Sequence, residues 1–172
     1  DTHEVPRPRF GTAHVWVESP LQILSDVETH AAGLLGTNIR VVPRLGMPLE
    51  ATTEALLARA PDGVHFEPAA RKPPHPKSSS DRYVTGDAYS GKVQRSLLAG
   101  VKAKEIIIID DGLATLALIK QLISDTPVPL VRARAKHSAA RVAMGLATWQ
   151  RLRQLAREER LLIVSALFVD PP

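Results

Sequence analysis

Asp110 and Asp111 are adjacent carboxylates at the end of four consecutive isoleucines, and Gly112 follows them. An apolar run of this kind suits a strand buried on both faces, and the segment after Gly112 has helical periodicity, so the acids fall at a strand-to-helix turn. Such a pair is unequal. The helix dipole and nearby backbone donors favour the charged form of one carboxylate, while repulsion between like charges makes the other a better proton acceptor near neutral pH. One acid could then act as a general base; alternatively, both could simply cap the helix, with Asp110 as N-cap. Two more polar turns have the same form: Glu18-Ser19 with Gln22 after the first strand, and Gly86-Asp87 with Ser90 and Gln94 after the fourth.

The elements that must position these turns alternate between strand and helix. Residues 12–18 read as a strand, and Ser19-Pro20 opens a helix that runs to Gly36 with apolar residues from Leu21 to Leu35 at spacings of three and four. A second strand covers 38–43, a helix 49–60 and a third strand 63–67. A proline- and serine-rich basic loop spans 68–82, because its prolines sustain neither helix nor sheet. Residues 83–85 resume as a strand, followed by a helix at 91–98, the isoleucine strand at 105–109 and a helix at 113–123. A longer helix at 138–158 puts Val142, Leu146, Trp149 and Leu152 on one stripe, and a last strand covers 161–169. This order predicts a Rossmann-like three-layer α/β/α domain at 12–172 with a mainly parallel sheet, preceded by a tail at 1–11. Ligands of such sheets bind beyond the carboxyl ends of the strands, where all three polar turns should lie.

The 172-residue length suits one domain, and the absence of cysteine excludes disulfides and thiolate metal sites. No apolar stretch is long enough to cross a bilayer, and the N-terminus lacks the apolar core of a signal peptide, which makes the cytoplasm the expected location. Asp1 in place of a start methionine is expected of a trimmed or partial chain. The net charge of +4 is concentrated in Arg71, Lys72 and Lys77 of the proline-rich loop and in Arg132, Arg134, Lys136 and Arg141, which read as a solvated helical face. His14 and His65 read as strand positions, and no histidine has metal-ligand spacing. Trp149 reads as core, and Tyr89 as packing rather than sugar stacking.

The runs ESPLQ at 18–22, GDAYSGKVQ at 86–94 and IIIIDDGLATL at 106–116 together resemble the N-terminal half of the bacterial sialyltransferase and polysialyltransferase families. The resemblance implies one half of a two-domain GT-B glycosyltransferase that inverts configuration without a metal or other cofactor. It implies a cytidine-nucleotide sugar of the CMP-sialic acid type as donor and a cell-surface glycan as acceptor. Asp110, Asp111 and Gly112 match the acidic motif that supplies the base; Glu18, Ser19, Gln22, Gly86, Asp87 and Ser90 are the candidates to hold the acceptor. The families carry a His-Pro pair and a serine motif after the acidic motif, in a donor domain. Here His75-Pro76 and Ser78 to Ser80 precede it, so the donor domain is expected to be missing and the fragment inactive alone. By analogy with such families, the basic residues are expected to hold the protein at an anionic membrane surface.

Two rival readings remain. IIIIDDGLATLALIKQLI resembles the first strand and helix of a response-regulator receiver, but about a hundred residues precede it here, whereas a receiver starts near its acidic pair. A noncatalytic basic module is the third reading; the few aromatics and the lack of any nucleic-acid motif argue against a nucleic-acid partner.

Overall fold

The computed structural model describes residues 11–19, 35, 38–47, 62–76, 81–100, 102–110, 113–133 and 135–165. Six strands form one sheet: β1 (Thr12–Val17), β2 (Asn38–Pro43), β3 (Val64–Phe66), β4 (Arg82–Thr85), β5 (Glu105–Asp110) and β6 (Leu161–Ser165). All pairings are parallel, and the spatial order is β3-β2-β1-β4-β5-β6. The order reverses between β1 and β4. This is the doubly wound Rossmann arrangement, and the reversal opens a crevice beyond the carboxyl ends of those two strands.

The isoleucines of β5 explain its central place. Ile106 and Ile108 enter one core with Trp16 and Tyr83, whereas Ile107 and Ile109 enter the other with Val15, Val17, Val41 and Val84. Each isoleucine is almost fully buried, and burial of such a side chain contributes about 1.5–3 kcal/mol. Three helices cover the first core: α1 (Gly91–Leu98), α2 (Leu113–Leu122) and α3 (Ala139–Arg157). They contribute Val93 and Leu97, Leu118, and Trp149, Leu152 and Leu155. The helices expected at 20–35 and 49–60 lie outside the described residues, apart from Leu35, which is buried in the second core.

Four expectations change. Arg82 belongs to β4, and the preceding loop is partly tied down: Ala70 bridges to Arg44 beside the end of β2, and Pro73 and Pro76 are buried. Asp110 pairs with Ser165 of β6 and so extends the strand by one residue, ending it three positions before α2 starts at Leu113. The buried stripe of α3 is rotated from the expected one and includes Gly145 and Thr148, while Val142 and Leu146 are only partly buried. Gly145 is the cause, because a Cβ there would stand 2.9 Å from the Leu130 backbone nitrogen; only glycine lets α3 approach that strand-like segment so closely. Finally, β6 is described to Ser165, and the remainder of the expected strand lies outside the described residues.

Candidate functional site

The sheet register aligns the polar turns. Trp16 of β1, Thr85 of β4 and Ile108 of β5 share one level across three adjacent strands. Counting two residues beyond that level reaches Glu18, Asp87 and Asp110. The three acid-bearing chain segments therefore leave the sheet side by side along its carboxyl edge. For Asp110 the backbone fixes this place; Asp111, Gly112 and Gln22 lie outside the described residues.

Several of these residues also build the site. Asp87 accepts the Tyr89 N–H through one carboxylate oxygen at 2.9 Å and pairs with Arg132 through the other. It thus closes the turn after β4 and anchors the segment that leads into α3. Gly86 is buried within that turn. The Ser90 hydroxyl caps α1 by accepting from the Val93 N–H, which satisfies one of the donors a helix start leaves open. Glu18 accepts the Trp16 indole N–H at 3.0 Å, and Ser19, half-buried, follows it at the rim. Tyr89 lines the crevice, and its hydroxyl donates to the Gln121 side chain at 2.6 Å.

Gln94 sits beneath the crevice, with no solvent exposure. Its amide donates to the Ala88 and Leu130 carbonyls, both at 2.8 Å, and its oxygen accepts from Arg141 at 2.7 Å. Arg141 also donates to the Tyr89 carbonyl. One buried amide therefore joins the turn after β4, the 130 segment and the start of α3. It holds the site's frame and does not face a ligand.

The residues that sequence reasoning missed are cationic. The crevice, of about 350 Å³, is lined by Glu18, Ser90 and Gly91 together with Arg44, Lys92, Arg95, Arg132 and Arg141. Arg141 turns inward onto Gln94 and the Tyr89 carbonyl, and Arg132, though exposed, pairs with Asp87 at the rim, so neither is part of a merely solvated face. His137 donates its ring N–H to the Arg132 carbonyl at 2.7 Å and supports that bend. Burial, and then the charges of Arg95 and Arg132, pull the Arg141 guanidinium below its usual value, with Asp87 opposing them. The cations are thus close enough to repel one another.

A local signal for them existed. Lys92 lies in the first turn of α1 and Arg141 in the first turn of α3, neither turn contains an acid, and a helix N-terminus disfavours positive charge. Cations placed against the dipoles of two helix starts break a local rule, and such breaks are expected at functional or strained sites.

Family models, curated proteins and solved structures gave no match to this chain.

The chemistry of the carboxyl edge comprises acidic residues at three adjacent strand ends, a capped helix start and, among the described lining residues, an excess of positive charge. Among the described residues, no three His, Asp or Glu side chains are grouped to hold a metal ion. No described helix is long and apolar enough to cross a membrane.

Proposed function

We propose that this chain is the acceptor-side half of an inverting glycosyltransferase of the sialyltransferase type. The observation that carries the reading is the common register of Glu18, Asp87 and Asp110, since the three motifs behind the family resemblance follow adjacent strands of one sheet edge. In this reading the acceptor glycan lies along the crevice rim, oriented by Glu18, Ser19, Gln22 and Ser90. Asp87 acts through the turn it holds. Asp110 or Asp111 removes the proton of the acceptor hydroxyl as that oxygen attacks the anomeric carbon of a cytidine-nucleotide sugar and the nucleotide departs. A second α/β half would bind the donor. The protein would work in the cytoplasm, with exposed basic residues such as Lys72 and Lys136 available to an anionic membrane surface.

The test is transfer from a cytidine-nucleotide sugar to a glycan, measured with the protein as its own reading frame encodes it and with Asp110→Asn and Asp111→Asn variants. One variant should fold normally and lose at least about a hundredfold in kcat, the lower range for a positioned acid or base. Two fully active variants would dismiss the base.

A further inference from the structure

The crevice does not end at α1. A second cavity, of about 420 Å³, lies against the same helix and shares Lys92 and Arg95 with the first. Pro73, His75 and Ala99 form much of its remaining wall with Arg71 and Lys72, and the Lys92 ammonium donates to the Arg71 carbonyl at 2.7 Å. Two basic segments some sixty residues apart in the chain, at 71–72 and 132–141, thus meet across the first turns of one helix. Ser96 also lines the second cavity, with its buried hydroxyl facing that of Tyr83. A cavity of this size suits a small molecule.

Charge selects the ligand class. Among the described lining residues, Arg44, Lys92, Arg95, Arg132 and Arg141 face two carboxylates, Glu18 and the Asp87 already paired with Arg132, which leaves an excess of three positive charges. One carboxylate on a ligand would offset a single charge of that excess. A phosphomonoester carries about −1.5 to −2 at neutral pH and offers three strong acceptor oxygens, which suit forked guanidinium groups and the open N–H groups at the start of α1. Arg44 and Arg95 are exposed and have no carboxylate partner among the described residues, so both can turn onto such a group.

We propose that the two cavities together bind a phosphorylated small molecule. The phosphoryl group sits in the crevice among Arg44, Arg95 and Arg132, and the ring that bears it lies across Lys92 in the second cavity, beside Pro73 and His75. The inference concerns the same crevice as the transfer reading but does not depend on the acid pair.

Titration calorimetry at fixed ionic strength, on the full 172-residue chain, tests it with glucose 6-phosphate, cytidine 5′-monophosphate, inorganic phosphate, glucose and glucuronate. At least one of the two organic phosphates should bind tenfold or more tightly than glucuronate, with no heat from glucose; whichever is tighter identifies a sugar or a nucleotide as the source of the phosphoryl group. Arg44→Gln combined with Arg95→Gln should weaken that binding at least tenfold while leaving the melting temperature in place. His75→Ala should weaken the organic phosphate and leave inorganic phosphate unchanged. Asp110→Asn and Asp111→Asn should bind the organic phosphate no more weakly than the parent, whether or not transfer is present. Glucuronate binding as tight as the phosphates, no binding of either organic phosphate, or indifference to the Arg44 and Arg95 changes would overturn the proposal.

Discussion

The two ends of the sheet treat charge differently. At the amino end, Lys102, Lys104 and Arg151 stand around an open hollow with Glu158 and Glu159, but the charges nearest the strands find partners: His14 meets Asp81 at 2.9 Å, Arg82 lies 3.6 Å from Glu105, and Arg160 bonds both Glu158 and the Ala103 carbonyl. At the carboxyl end, five cations crowd one crevice against two carboxylates among its described lining residues. The amino end has the pairing expected of a scaffold. The carboxyl end gives up electrostatic stability for an uncompensated field, as functional sites commonly do.

The largest effect should come from removing the frame beneath that field. Gln94→Leu keeps the volume but deprives Arg141, the Ala88 carbonyl and the Leu130 carbonyl of their partner, and about 3 kcal/mol of stability should be lost in urea unfolding. A smaller loss would mean that the turn after β4 is held by other contacts, and the frame assigned here to Gln94 would be wrong.

A change at the amino end should be intermediate and pH-dependent. Burial alone would raise the Asp81 carboxyl, but the His14 side chain and the Thr12 N–H outweigh it and hold the group below the usual carboxylate range. Its contribution is therefore present above about pH 4, the unfolded value, and disappears as pH falls through the lower folded value. Asp81→Asn should cost about 1 kcal/mol at pH 7 and progressively less below pH 4. A deficit that stays constant into acid would place the loss outside the ionised carboxylate.

The smallest effect should have the opposite sign. Arg95 contributes repulsion to Arg141 and has no carboxylate partner among the described residues, so Arg95→Gln should change stability by no more than about 0.5 kcal/mol, toward greater stability. A clear loss in chemical unfolding would erase the contrast between the two ends.

The sheet was legible because its signals are local. The β-branched run at 12–17, the four isoleucines and the turn residues between them name strands and their order, and the parallel rule then supplies the edge on which Glu18, Asp87 and Asp110 emerge. The cations were not legible in the same way. Arg71, Arg95 and the group from Arg132 to Arg141 lie on separate stretches of the chain, and the approach of that last group to α1 depends on α3 closing against the 130 segment, which in turn depends on Gly145 having no side chain. Periodicity assigned α3 a different inward face because apolar residues count in a pattern and an absent Cβ does not. Gln94 was read with the polar turn that precedes it, although its amide is fully enclosed; spacing places a residue after a strand end but does not say whether it faces the ligand or the frame.

Backbone amide NMR tests most directly whether the carboxyl end is where this protein meets its ligands. With glucose 6-phosphate or cytidine 5′-monophosphate, whichever binds more tightly, shifts should move at Glu18 and Ser19, from Gly86 to Arg95 and at Asp110, while those of Asp81, Lys104 and Arg160 stay fixed. Movement centred on the amino-end residues, with the Gly86 to Arg95 segment unaffected, would contradict the account.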